Sequence, residues 1–339
     1  MPQISKRQLG KDGPFVSAIG FGAMSLSYAY GKPGDDEARF AVLDRALELG
    51  ATFWDSSDAY FDSEDLLKQW FDRTKRRDDV FLATKGGMVR DASGKLSVRS
   101  DPEYVKEACN RSLKRLGIKK IDLYYCHRVD PNVPIEHVVT ALAELKAEGK
   151  IGAIGLSEIS AATLRRACKV HPISAVQTEY SAFALDIEDP NIDLLRTCKE
   201  LGVAVVAYGP LGRGLLTGHL TSRDQFEAGD FRIHAPRFSE ENFPKNLELA
   251  ETFKNCAERK HCTPGQVALA WLLAQGDNII PIPGTKKIKY LEENMGALSV
   301  SLTESELEAL RHDIEKVQVM GERYPEALAQ YSFVDTVEL

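Results

Sequence analysis

Two hydrophobic patterns alternate along this chain from one end to the other. Short runs rich in Val, Ile, Leu and Tyr, apolar on both faces, read as strands of a parallel sheet covered by helices. Eight such runs occur: "SAIGFG", "ATFWD", "DVFLATK", "IDLYYCH", "IGAIGLS", "SAVQTEY", "VAVVAYG" and "NIIPIPG". Between them lie stretches of helical period with start and stop signals. "SDPEYVKEACNRSLKRLG" offers Asp101 as N-cap, Pro102 at the first helical position and Gly117 just past the end. Its Val105, Ala108, Ser112, Leu113 and Leu116 share one face. "PIEHVVTALAELKAEGK" repeats the scheme and closes at Gly149, and "TPGQVALAWLLAQG" opens on Thr263 and Pro264.

Eight strands each followed by a helix predict a (β/α)8 barrel, an α/β fold of one domain over residues 1–339. A doubly wound open sheet also alternates, but no GxGxxG follows the first strand and no linker marks a second domain. Three segments depart from the alternation. "ISKRQLGKDGPFVSAIG" reads as a hairpin turning at Asp12-Gly13, placed to cap the barrel bottom. Residues 217–246 form a long polar loop after the seventh strand, the kind of connection that is usually functional. The closing "MGERYPEALAQYSFVDTVEL" follows the last helix and is expected to fold back over the mouth.

Composition narrows the functional classes. A net charge of −7 without a basic block argues against nucleic-acid binding, so an anionic ligand must meet a local basic cluster. No apolar stretch approaches the roughly 20 residues that span a bilayer, and the polar N-terminus lacks a signal-peptide core. The six cysteines are scattered without a CxxC pair, as reduced thiols of a cytoplasmic protein would be, and no metal site is expected.

In such a barrel the chemistry collects at the C-terminal ends of the strands. The second strand candidate ends at Asp55, with Tyr60 in the loop beyond, the third at Lys85 and the fourth at His127. The fifth supplies Ser157, the sixth Gln177 and the seventh Tyr208. Taken singly, a strand-end Asp is more often a turn former and a lone His more often structural; convergence on one mouth changes the reading. Asp55 would keep Lys85 charged, the ammonium would lower the pKa of the Tyr60 phenol, and His127 would orient a substrate oxygen. That is a proton donor for a carbonyl oxygen becoming an alkoxide, in need of a hydride source.

These residues, with "IGFGAMSL", "DSSDAYFDSEDLL", "ATKGG", "YYCHRVDP", "GKIGAIGLSE", "VQTEYS", "VAYGPLGRGLLTG" and "PIPGTKKIKYLEENMGAL", make nearly the whole chain resemble the aldo-keto reductases. Within them it looks most like the microbial and plant oxidoreductases that act on small or pyridoxal-like aldehydes and on ketones. The resemblance implies a barrel binding NADPH at its mouth, with a tetrad at Asp55, Tyr60, Lys85 and His127. It implies that Ser157 and Gln177 hold the nicotinamide carboxamide, that Tyr208 stacks on the ring, and that Gly209, Leu211, Gly212 and Gly214 cradle the pyrophosphate. Around the adenosine, Gly284, Thr285 and Lys286 would offer a place for a phosphate, with Lys286 meeting the 2′-phosphate and Glu293 and Asn294 near the adenine, and Arg237 would close over the cofactor. Met24, Tyr28, Phe61 and Arg128 are placed at the substrate pocket by position. Three letters depart from the family pattern: Phe61 where glycine is usual, Tyr290 where arginine is common and Glu158 where asparagine is common. The potassium-channel beta subunits resemble this family and bind NADPH, so a regulatory subunit is the alternative to a carbonyl reductase.

Overall fold

The computed structural model describes residues 4–90 and 96–339. Twelve strands are present among them: β1 (Lys6–Gln8), β2 (Phe15–Ser17), β3 (Phe21–Gly22), β4 (Phe53–Asp55), β5 (Phe81–Gly86) and β6 (Met88–Arg90), followed by β7 (Leu96–Val98), β8 (Ile121–Cys126), β9 (Ile151–Ser157), β10 (Ala175–Glu179), β11 (Ala204–Tyr208) and β12 (Ile279–Pro281). Eight of them form one all-parallel sheet in the order β12-β11-β10-β9-β8-β5-β4-β3.

Two backbone hydrogen bonds close that sheet on itself. Gly20 donates to the Pro281 carbonyl at 2.9 Å and Gly22 to the Pro283 carbonyl at 3.1 Å. Glycine is needed at this seam. A Cβ on Gly22 would stand 2.8 Å from the Ile282 carbonyl oxygen, and one on Gly284 would stand 2.6 Å from that of Gly22.

The closed sheet separates two hydrophobic clusters. Phe53, Ala83, Leu123, Tyr125, Ala153, Ala175, Ala204, Val206 and Ile280 fill the interior, while Trp54, Leu82, Tyr124, Ile154, Val176 and Val205 face the helices. Strands buried on both sides therefore lack polar alternation, as the sequence pattern showed. The predicted hairpin forms with Gln8 opposite Phe15 and Asp12 at φ 62°. Its Leu9 and Val16 join the interior cluster, and Lys11 donates to the Gly202 carbonyl, so the hairpin plugs the N-terminal end of the barrel. The sequence segment "SAIGFG" is divided: Ser17 ends the hairpin and only Phe21–Gly22 joins the barrel.

The helix signals operate as read. Asp101 accepts from the Tyr104 amide, and Gly117 ends the Pro102–Leu116 helix at φ 65°. Thr263 and Gln266 form a capping box before Pro264–Leu273. Residues 217–246 fold as short turns and the helix Asn242–Asn246, anchored by stacked Phe238 and Phe243. The tail crosses the mouth and then runs beside Glu158 and Ser160: Val334 donates to the Glu158 carbonyl at 2.9 Å and accepts from Ser160 at 3.0 Å. The antiparallel pair β6 and β7, not foreseen from the sequence, stands at the mouth after β5.

Candidate active site

Strand pleating delivers the site. Successive side chains alternate between the barrel interior and the helices, so the inward position beyond Phe53 is Asp55, beyond Ala83 is Lys85 and beyond Tyr125 is His127. The same step leads from Ala175 to Gln177 and from Val206 to Tyr208. Each functional group is thus the first polar layer on top of an apolar plug.

Both oxygens of the buried Asp55 carboxylate are taken. Lys85 Nζ donates to Oδ1 at 2.5 Å, and Gln177 Nε2 donates to Oδ2 at 2.7 Å. Lys85 spends a second proton on the Ser56 carbonyl at 2.6 Å and reaches the Tyr60 hydroxyl at 3.5 Å. Burial alone would drive Lys85 down, but Asp55 and then Tyr60 outweigh it, and its pKa stands above the ordinary lysine value. The pairing with Asp55 thus favours the charged ammonium.

Tyr60 corrects an expectation. Lys85 and Arg128 draw its pKa down, but burial pushes harder and Asp55 adds to it, so the phenol titrates above its ordinary value. It therefore carries its proton across the physiological range. An alkoxide is a far stronger base than a phenolate, so donation from this phenol would need a proton in place rather than an acidified group.

His127 lies edge-on to Tyr60, ring centroids 5.7 Å apart. Burial, then Lys85 and Arg128, hold its pKa well below the usual histidine range, so the imidazole is neutral. Arg128 donates to the Ser157 hydroxyl and the His127 carbonyl, both at 2.9 Å.

These groups open into one cavity of about 540 Å³. Asp55, Tyr60, His127, Arg128, Ser157, Gln177 and Tyr208 line one end, with Met24 and Tyr28 beside them. Gly209, Leu211 and Gly214 line the middle, and Gly284, Thr285, Lys286, Lys287, Tyr290 and Glu293 the other end. Lys286 Nζ rests on the Tyr30 and Lys32 carbonyls at 2.6 and 3.1 Å. The loop after β11 crosses to the loop after β3, where Phe231 donates to the Ala29 carbonyl at 2.8 Å and Glu227 accepts from Lys32 at 3.1 Å.

Several expected residues stand elsewhere. Phe61, at φ 47°, is 56% exposed and packs on Tyr28 outside this cavity. Arg237 turns away from the mouth to the Phe183 and Gly321 carbonyls at 2.5 and 3.1 Å. Gly212 and Asn294 do not line the cavity, Asn294 being buried within the helix Ile288–Gly296. Glu158 is buried behind it as the anchor of a charged network. Arg323 from the tail pairs with it at 3.0 Å and the Tyr208 hydroxyl donates to it at 2.7 Å. Burial raises the Glu158 carboxyl, but Arg323 and Arg128 outweigh burial and hold its pKa at about 2.

Sequence reasoning missed Ser57, whose hydroxyl meets His127, and the tail residues Tyr324, Leu328 and Tyr331 that line the mouth. Tyr324 meets Tyr208 hydroxyl to hydroxyl at 2.8 Å. Among the described residues no group of three or more His, Cys, Asp or Glu is placed to hold a metal ion, and no helix is long and apolar enough to cross a membrane.

Comparison with known proteins places this closed parallel barrel, with Asp55, Tyr60, Lys85 and His127 at its C-terminal mouth, in a class of oxidoreductases. A sequence model of the Aldo/keto reductase family matches residues 18–314. The chain is 54% identical over 325 residues to aldo-keto reductase str7 of Strobilurus tenacellus, covering 94% of this chain and 95% of that protein. It is 50% identical over 336 residues to aldo-keto reductase yakc [NADP(+)] of Schizosaccharomyces pombe, covering 98% of each. Among solved structures, glycerol dehydrogenase AKR11B4 from Gluconobacter oxydans superimposes with a TM-score of 0.82 at 27% identity, covering 94% of this chain and 97% of that one. The protein belongs to the aldo/keto reductase family.

Proposed function

We propose that the protein reduces aldehydes and ketones to alcohols with NADPH, Tyr60 giving the proton. The observation that carries this reading is the arrangement of Tyr60, Lys85 and the neutral His127 at one end of a cavity whose other end is basic. The name of the S. pombe relative, which includes NADP(+), supports the cofactor assignment.

The donor set suits that cofactor. Tyr208 offers an aromatic face beside Ser157 and Gln177, whose unspent amide oxygen and hydroxyl proton match a carboxamide. Gly209 and Gly214, both at positive φ, let backbone approach a pyrophosphate closely. Lys286 spends two of its three donors on carbonyls and keeps one for a phosphate oxygen. Bound NADPH would supply the hydride.

The chain's own residues then do three things. His127 orients the carbonyl oxygen, Tyr60 holds the proton that this oxygen receives, and Lys85 stabilises the phenolate left behind. Met24, Tyr28, Met88, Leu96, Leu328 and Tyr331 give the substrate end an apolar, aromatic lining. That lining suits aromatic aldehydes, and the resemblance to oxidoreductases of pyridoxal-like aldehydes adds these to the proposed substrate class. Oxidation of NADPH followed across a panel of such aldehydes and ketones tests the reading. Turnover supports it, whereas tight NADPH binding without turnover on any carbonyl favours a regulatory subunit.

A further inference from the structure

Ser57 is fully buried in the loop between Asp55 and Tyr60, and four groups surround its hydroxyl. The Ala59 amide donates to Oγ at 3.2 Å. Three acceptors compete for its single proton: His127 Nδ1 at 2.9 Å, the Lys85 carbonyl at 3.3 Å and Asp58 Oδ1 at 3.4 Å. The two oxygens lie beyond the usual O–H···O range. The Lys85 carbonyl also already accepts from the Asp58 amide at 3.0 Å. Distance and supply both direct the proton to Nδ1.

A neutral imidazole carries one N–H, so a ring that accepts at Nδ1 must carry its proton on Nε2. Among the described residues no protein group bonds Nε2, and His127 lines the cavity beside Tyr60. A carbonyl oxygen only accepts. The Nε2–H form therefore meets it with a donor, whereas the other tautomer would set lone pair against lone pair.

We propose that Ser57 is a positioning residue that fixes His127 as the Nε2–H tautomer by donating to Nδ1, so that the ring presents an N–H to the substrate oxygen. The part played toward substrate rests on the carbonyl-reductase reading; the tautomer itself does not. Replacing Ser57 by alanine deletes the hydroxyl, which among the described residues is the one side-chain partner of Nδ1. The ring is then free to redistribute its proton or to turn.

The test is long-range ¹H–¹⁵N correlation on the NADP⁺-loaded full-length protein labelled at histidine, with His127→Gln assigning the resonance. The wild type is expected to show Nε2–H. Ser57→Ala should show loss of that single tautomer and a kcat about 10- to 100-fold lower, with NADPH affinity unchanged. Ser57→Thr, which restores the hydroxyl, should recover both. A wild type protonated on Nδ1 overturns the proposal, as does a Ser57→Ala protein with the wild-type spectrum and kcat. If Ser57→Ala fails to fold, the wild-type and Ser57→Thr spectra decide. Absence of carbonyl turnover in the wild type counts against the reductase reading alone, and its spectrum still decides the tautomer.

Discussion

Gln177 holds Asp55 from the far side of the barrel, its amide donating to Oδ2 at 2.7 Å while Lys85 takes Oδ1. The carboxylate is thereby locked between β4, β5 and β10, and through Lys85 it sets the position of the charge facing Tyr60. Gln177→Leu removes that donor without changing the volume greatly and leaves a buried oxygen unpaired. The expected loss is about 1–3 kcal/mol of folding free energy, read by urea denaturation. Stability equal to the wild type would show that Oδ2 finds another donor.

Lys286 lines the cavity beside Thr285 and Lys287, and in the proposed reading it meets the 2′-phosphate of NADPH. Lys286→Met should weaken NADPH by about tenfold or more, the scale of a lost charged hydrogen bond, and leave NADH nearly unchanged. Titration of both nucleotides by fluorescence measures this. Equal losses would remove Lys286 from the 2′-phosphate.

Asp58, with a side chain 7% exposed, gives a pH signature separate from catalysis. Burial and then Glu64 raise its pKa from 3.8 to about 7, against the pull of Arg111 and Arg115. Because the folded state binds this proton more tightly than the unfolded state, the Asp58 contribution to stability falls as pH rises from about 4 to 7 and then levels off. Asp58→Asn does not titrate. Its stability relative to wild type should therefore increase over that window and reach a plateau above it. A constant difference across the window would contradict the assignment.

The strand-end carboxylate, lysine and histidine were legible in the sequence because pleating makes every second residue of a buried strand inward-facing. Asp55, Lys85, His127, Gln177 and Tyr208 all inherit their direction from the residue two places earlier. Ser57 lies past the end of β4, where that alternation stops, so nothing local indicated that it turns to His127. Tyr324, Leu328 and Tyr331 reach the mouth through a tail whose path is set by contacts with Glu158, Ser160 and Arg166. Phe61 was misplaced because its positive φ turns the ring outward, and Arg237 because long-range carbonyls claim its guanidinium. The direction of the Tyr60 shift was missed for a related reason. Proximity to Lys85 can be read from strand order, whereas the degree of burial requires the folded mouth.

In the proposed reaction Tyr60 supplies the proton to the reduced carbonyl. The most direct measurement compares wild type and Tyr60→Phe in NADPH oxidation on one aldehyde, with NADPH affinity determined on the same preparations. The kcat of Tyr60→Phe should be lower by about 10²- to 10⁴-fold, the usual contribution of general acid catalysis, with NADPH affinity nearly unchanged. Turnover retained in Tyr60→Phe would contradict it.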